Sequence, residues 1–329
     1  MKRAPCLILV GAIILSLLSV GYAFGQEVKK YPTKGVEIIV SVSAGGTPDV
    51  MSRLASEWLS KHWGKPVTVV NKPGGGAIPG ALEVLNATAD GYTVGTITSQ
   101  NSSQQHGANK KPSIDVTKPT YIARVFDVDL VLTVNAKSEW TDIKAFSKWA
   151  AANPDKLVWA NTGAVSTASF STAEWYTKIG GDISKTRMMT TAGGSDSATK
   201  LAAGDCVMNF GDFLGSAAMV RAGKVRYLAT SAKKRNPYFP DVPTMEENGI
   251  TGLSVGMWIG FMMPNGVPDF VVKEWDSAIQ KMIVDEGFLK KLANISGRIA
   301  YLNSADFRNL IMLECTTYTT LAEKLGVRK

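Results

Sequence analysis

The sequence is short of the residues that hold metals and run redox or nucleophilic chemistry. Two histidines, His62 and His106, and three cysteines, Cys6, Cys206 and Cys315, are spread over 329 residues. No set of them stands at metal-ligand spacing, so neither zinc nor haem has a site to occupy, and no metal or other cofactor is assigned. No G-x-x-x-x-G-K-[ST] occurs, which excludes a P-loop. GGGAIPG at 74–80 misses the dinucleotide pattern because Pro79 stands where its last glycine belongs. There is no G-x-S-x-G elbow, and neither histidine sits in a motif that marks it as a base for serine. S-x-x-K occurs at 197–200 and 231–234, but its S-D-N and K-T-G companions are missing. No catalytic residue is assigned, and the chain is read as no enzyme.

Charge is also thinly spread. Basic residues exceed acidic ones by eight, two of the excess being Lys2 and Arg3, and the densest basic runs are only KK at 110–111 and KKR at 233–235. These are solvated surface, and nucleic acid is not an expected partner. The one long apolar run, LILVGAIILSLLSV, follows Lys2 and Arg3 and precedes the small residues Gly21, Ala23 and Gly25. That order predicts a signal peptide over 1–25 rather than a membrane span. A lipoprotein would need a cysteine just after this run, and Cys6 lies before it. The expected product is a soluble periplasmic monomer in which Cys206 and Cys315 are either free or paired.

From Val36 onward short β-type runs alternate with helical patterns. VEIIVSV precedes a helix from Asp49, VTVV a helix after Pro79, and TVGTIT a loop and then LVLTV. The alternation resumes with LVWA, a helix at 167–179, TRMMT, a helix at 196–203, VMNF, a helix at 213–222, and VRYLATS. Strands spaced by single helices predict parallel βαβ units, hence an α/β fold with doubly wound, mainly parallel sheets. In the first helix Met51, Leu54, Ala55, Trp58 and Leu59 form one apolar stripe, with Thr47 expected as N-cap, Pro48 as first helical residue and Gly64 as the stop. The polar stretch SQNSSQQHGANKKPS at 99–113 is expected to be a surface loop. Crossing strands near 130 and 231 divide the mature chain into lobe 1, residues 26–128 plus 232–329, and lobe 2, residues 129–231. Helical patterns at 269–286 and 304–325 are placed back on lobe 1.

Glycine-rich turns follow four of the strands: SAGGTPD at 43–49, NKPGGGAIPG at 71–80, NTGAVSTASF at 161–170 and TTAGGSDS at 190–197. A helix start presents unpaired N–H groups and a partial positive charge, and glycine lets a ligand oxygen approach them. In parallel sheets such turns gather at the carboxyl ends of strands, where ligands of open α/β folds bind. Two turns come from each lobe, so a cleft between the lobes would clasp a small anion from both sides. The alternative is a tight turn that needs glycine torsions and binds nothing. Asp49 could be a catalytic carboxylate, and the alternative, which the sequence favours, is a helix-start charge that ties down its own turn.

These segments, in this order, resemble the solute receptors of tripartite tricarboxylate transporters, the Bug-type (TctC-like) extracytoplasmic binding proteins. The resemblance runs over about residues 31–327, through YPTKGVEIIVSVSAGGTPDVMSRLAS, PVTVVNKPGGGAIPGALEVLNATADGYTV, LVWANTG, the segment from KLAAGDCVMNFGDFLG to PTMEENGITGL, and WIGFMMPNGVP. It implies a two-lobed type II periplasmic binding fold that closes on a small organic carboxylate and docks on the membrane permease subunits of a tripartite transporter. A sensory receptor that presents its ligand to a membrane kinase, or an exported hydrolase, stays open as an alternative. The resemblance assigns ligand binding to Ser43, Ala44, Gly45, Gly46, Thr47 and Asp49. From lobe 2 it adds Thr162, Gly163, Ser166, Thr167, Ala192, Gly193 and Gly194, with Asp212 of NFGD near the cleft. The chain departs from the family pattern in three places. Ser41-Val42-Ser43 replaces Pro-Phe-Pro, TTAGGSD replaces a Pro-Tyr-Lys-Gly turn, and NTGAVSTAS is richer in hydroxyls and lacks a histidine.

Overall fold

A computed structural model of the chain describes residues 30–324 and 326–328. Residues 1–25, where a signal peptide is expected, lie outside the described residues. Two sheets carry the fold. The first is built from β1 (Val36–Val40), β2 (Val67–Asn71), β3 (Thr93–Thr98), β4 (Thr120–Val128), β10 (Met257–Met263) and β11 (Arg298–Leu302), in the order β11-β4-β10-β3-β1-β2. The second holds β5 (Leu130–Asn135), β6 (Val158–Asn161), β7 (Arg187–Thr190), β8 (Met208–Asp212) and β9 (Val225–Thr230), in the order β7-β6-β8-β5-β9. The chain leaves the first sheet at Asp129, between β4 and β5, and regains it at β10.

Between the named strands of the described residues, parallel pairing is confined to the βα units, β1 with β2 and β3, and β6 with β7 and β8. The strands that enter from the other sheet, β5 and β10, run antiparallel to both of their neighbours. Each sheet is therefore mixed, because a strand crossing over from the other sheet needs no helical crossover to reverse direction.

The connecting helices are α1 (Thr47–Trp63), α2 (Ile78–Leu85), α3 (Gln105–Ala108), α4 (Ile143–Ala152), α5 (Thr167–Lys178), α6 (Gly194–Ala203), α7 (Phe213–Arg221), α8 (Asp269–Met282), α9 (Glu286–Asn294) and α10 (Ser304–Lys324). Helix α1 ends at Gly64 in the left-handed conformation, as expected, and buries Met51, Ala55 and Leu59. Its N-cap is Gly46 rather than Thr47, so Thr47 stands inside the first turn with its hydroxyl free for another partner.

Helix α10, expected on lobe 1, packs there and also reaches beyond it. Phe307, Ile311 and Cys315 belong to the apolar core of the first sheet, whereas Tyr318 and Ala322 pack in a core with Leu132, Phe170, Trp175 and Phe210 of the second. One helix thus joins both cores, and residues 32–329 form a single compact unit. Cys206 and Cys315 are free and buried, and burial pushes each thiol up to about 12. Among the described residues no helix is long and apolar enough to cross a membrane.

Candidate functional site

The turn between β1 and α1 holds itself rigid. Gly46 N donates to Ser43 O at 3.2 Å, and Gly45 takes φ +82°, the left-handed value that suits glycine. Asp49, only 2% exposed, reaches back from the first turn of α1. Its Oδ2 accepts from Gly45 N at 2.9 Å and Arg53 Nε at 3.1 Å, and its Oδ1 accepts from Asn71 Nδ2 at 2.8 Å. Burial alone would raise the Asp49 carboxyl. The hydrogen bonds from Arg53, Gly45 and Asn71, with the Arg53 charge, outweigh burial and hold it below the usual carboxylate range. The Gly45 amide is thus engaged by Asp49, and the Asp49 carboxylate is turned inward and ties down its own turn, the alternative that the sequence leaves open for it.

The turn between β7 and α6 repeats this construction in the other sheet. Ala192 N donates to Asp196 Oδ2 at 2.9 Å, the same amide-to-carboxylate spacing of four residues, and the N-cap is again a glycine, Gly193. In both helices no side chain caps the N-terminus. Among the described residues the amides of Thr47 and Asp49 in α1, and of Gly194, Ser195 and Asp196 in α6, donate to no acceptor. Two open helix starts result, each with orphan donors and the positive end of its dipole.

The neighbouring helices close their own ends. Ser166 Oγ accepts from Ser169 N at 3.2 Å and caps α5, and Asp212 Oδ1 accepts from Gly215 N at 2.8 Å and caps α7. Gly163, at φ +127°, gives its amide to Asn161 Oδ1 at 2.6 Å. Ser166 is wholly buried in that role, its hydroxyl serving as the helix cap. Thr162 and Gly163 are half-buried beside it, and Ser43, Ala44 and Ala192 are exposed.

The open start of α1 reaches Asp212 of the second sheet, whose carboxylate lies beside the start of α6. Thr47 Oγ1 donates to Asp212 Oδ1 at 2.8 Å, a contact between residues 165 apart in sequence. Behind Asp212 the backbones of α6 and α7 touch at glycines, where a Cβ added to Gly215 would lie 3.1 Å from the Gly194 Cα. Thr47, Gly194 and Asp212, named separately from sequence, therefore form one cluster. A second contact between the sheets runs from Thr167 Oγ1 to Gln104 Oε1 at 3.1 Å.

Gln104 belongs to a stretch that was expected on the surface. Ser99 and Asn101 to Gln104 are buried, in a π-helical turn at 100–104 that runs into α3. Gln104, fully buried, also donates through Nε2 to Tyr318 Oη at 3.2 Å and so ties both sheets to α10. A signal for this existed: 99–105 carry amides and hydroxyls but no charge, and exposure begins where Lys110 and Lys111 do. Asn161 is a further residue that the sequence reading does not single out. It is wholly buried at the carboxyl end of β6, and its Nδ2 has no partner among the described residues.

The family model described as a tripartite tricarboxylate transporter family receptor matches residues 51–327. The chain belongs to that receptor family. It is 28% identical over 305 residues to a UPF0065 protein encoded in the gbd 5' region of Cupriavidus necator, covering 92% of this chain and 91% of that one. It is 28% identical to BugT of Bordetella pertussis over 85% and 87% of the two chains. Among solved structures, the periplasmic binding protein BugD superposes with a TM-score of 0.82 at 24% identity, over 91% of this receptor and 100% of BugD. An R. palustris protein solved with adipate reaches 0.84 at 23% identity over 90% and 99% of the chains. MatC of Rhodopseudomonas palustris, solved with malate, reaches 0.79 at 22% over 89% and 100%. At these identities the structures establish the fold of this receptor, the two-lobed fold of periplasmic binding proteins.

Proposed function

We propose that this receptor captures a small organic carboxylate between its two sheets in the periplasm and delivers it to the membrane permease subunits of a tripartite transporter. The observation that carries the reading is the pair of uncapped helix starts, α1 at Gly46 and α6 at Gly193, drawn to one cluster by the Thr47–Asp212 hydrogen bond. Their orphan amides provide several donors for carboxylate lone pairs without a lysine or arginine. The adipate and malate in the two structural neighbours are small acids of this class.

Magnitudes agree with a scavenging receptor. Each hydrogen bond to a charged group contributes roughly 1.5–3 kcal/mol. Four or five of them, less desolvation and ordering, reach about −8 kcal/mol, a micromolar dissociation constant. Ligand contacts made only with both sheets in place favour the closed form, and that form is what a permease would recognise. The two lobes are residues 26–128 with 232–329, and 129–231, joined through α10. The carboxylates of these turns, Asp49, Asp196 and Asp212, each accept a hydrogen bond from a backbone amide of their own turn, an arrangement that suits a binding protein better than a catalyst.

The test is a thermal-shift screen of mature protein, stripped of carried-over ligand by unfolding and refolding, against mono-, di- and tricarboxylates, aromatic acids and amino acids. A ligand at 100 times its dissociation constant adds about 2.7 kcal/mol, a rise of a few degrees for a chain of this size. A selective rise with one group of acids supports the reading. Silence across all acids from a folded protein contradicts it.

A further inference from the structure

The two oxygens of the Asp212 carboxylate are used unequally. Oδ1 accepts both hydrogen bonds, from Thr47 Oγ1 and from Gly215 N, each at 2.8 Å. Among the described residues no donor reaches Oδ2. The residue is half-buried, and the chain beside Oδ2 is Gly194, where even an added Cβ would stand 3.7 Å from that oxygen. Glycine at 194 leaves Oδ2 uncovered at the point where α6 begins with its amides of Gly194 and Ser195 unpaired.

An anion-binding helix start and an unused carboxylate oxygen therefore lie side by side, and their preferences conflict. A ligand carboxylate drawn to the α6 amides meets the negative charge of Asp212, and two carboxylates at hydrogen-bond distance repel unless a proton-bearing group stands between them. A hydroxyl or ammonium on the carbon next to the ligand carboxylate supplies that group. Resting on the carboxylate-receptor reading, we propose that Asp212 Oδ2 is the specificity-determining acceptor of the cleft. It selects α-hydroxy or α-amino acids over the same acids without the donor.

The experiment is calorimetric titration of stripped mature protein with three matched series: propionate, lactate and alanine; succinate, malate and aspartate; glutarate, 2-hydroxyglutarate and glutamate. Members of a series differ by one hydrogen, hydroxyl or ammonium. Within the series that binds, the donor-bearing acids are expected to bind at least about tenfold more tightly, the factor one hydrogen bond to a charged group supplies. Asp212→Asn keeps the size and capping ability of the residue but removes its charge, and should bring the amino acid within about threefold of its donor-free parent. Thr47→Val removes the bridge and leaves Oδ2, so it should weaken all members by one factor and preserve their ratio. A donor-free acid that binds as tightly as its hydroxy and amino counterparts overturns the proposal and leaves the receptor reading standing. So does a preference for the amino acid that survives in Asp212→Asn. No binding by any member, while other acids raise the melting temperature, overturns it as well; silence from every acid removes both readings.

Discussion

Single residues in the first turn divide into those that shape the site and those that face it. Asp49 is a shaping residue. Its carboxyl is held below the ordinary range near 4, so ionised Asp49 contributes stability above that pH and the contribution is lost as pH falls through the lower, folded value. Asp49→Asn should therefore lower stability by about 1–3 kcal/mol at pH 7, the worth of a hydrogen-bonded charge. The loss should shrink as the pH drops below about 4. Melting temperatures of both proteins from pH 3 to 7 would show the curves converging in acid; a constant gap contradicts the assignment. Gly45→Ala isolates the backbone, since φ is +82° and nothing lies within 4 Å of the added Cβ. It should cost about 1–2 kcal/mol in chemical denaturation, all of it from the left-handed torsion. Both residues were legible in AGGTPD as a helix start after a turn. What the letters did not contain was direction: the Gly45 amide points to Asp49 four residues on, and Thr47 points to a residue 165 positions away.

At the scale of elements, the segment 99–108 shows where sequence reading loses hold. Hydroxyls and amides are as much at home in a satisfied interior as in water, and only the absence of charge tells the two apart. Here Ser103 Oγ donates to Glu314 Oε2 at 2.6 Å, Gln104 to Tyr318, and α3 lies flat on α10. Gly107 makes that contact possible, since a Cβ there would stand 2.5 Å from the Tyr318 carbonyl carbon. Gly107→Ala should destabilise by about 1–3 kcal/mol or more through overpacking, with α10 displaced. Differential scanning calorimetry would reveal it, and an unchanged melting temperature would mean that the contact is loose. The βα units were readable from their period, as were the turns after β1, β6 and β7. Strands β4 and β10 were not read, because TYIARVF and WIGFMM carry no alternation when both faces of a sheet are covered.

For the whole molecule, what matters is how the two sheets are held together. The side chains that bridge them are Thr47 with Asp212 and Thr167 with Gln104, and three of these four, Thr47, Asp212 and Thr167, are residues that the family resemblance marks; on the proposed reading, assembly of the site and closure of the lobes are one event. Thr47→Val removes one bridge, lowers the population of the closed form and should weaken every ligand several-fold without altering their order, as expected when only the competent fraction changes. Equal affinities in variant and parent would mean that the bridge does not bear on closure. The central claim, that open helix starts clasp a carboxylate, is tested most directly by calorimetric titration of stripped protein with the best acid from the screen and with its isosteric primary amide. The account predicts a dissociation constant of about a micromolar for the acid and a loss of at least about a hundredfold for the amide, which brings donors where the site already has them. Comparable affinity for acid and amide would contradict it.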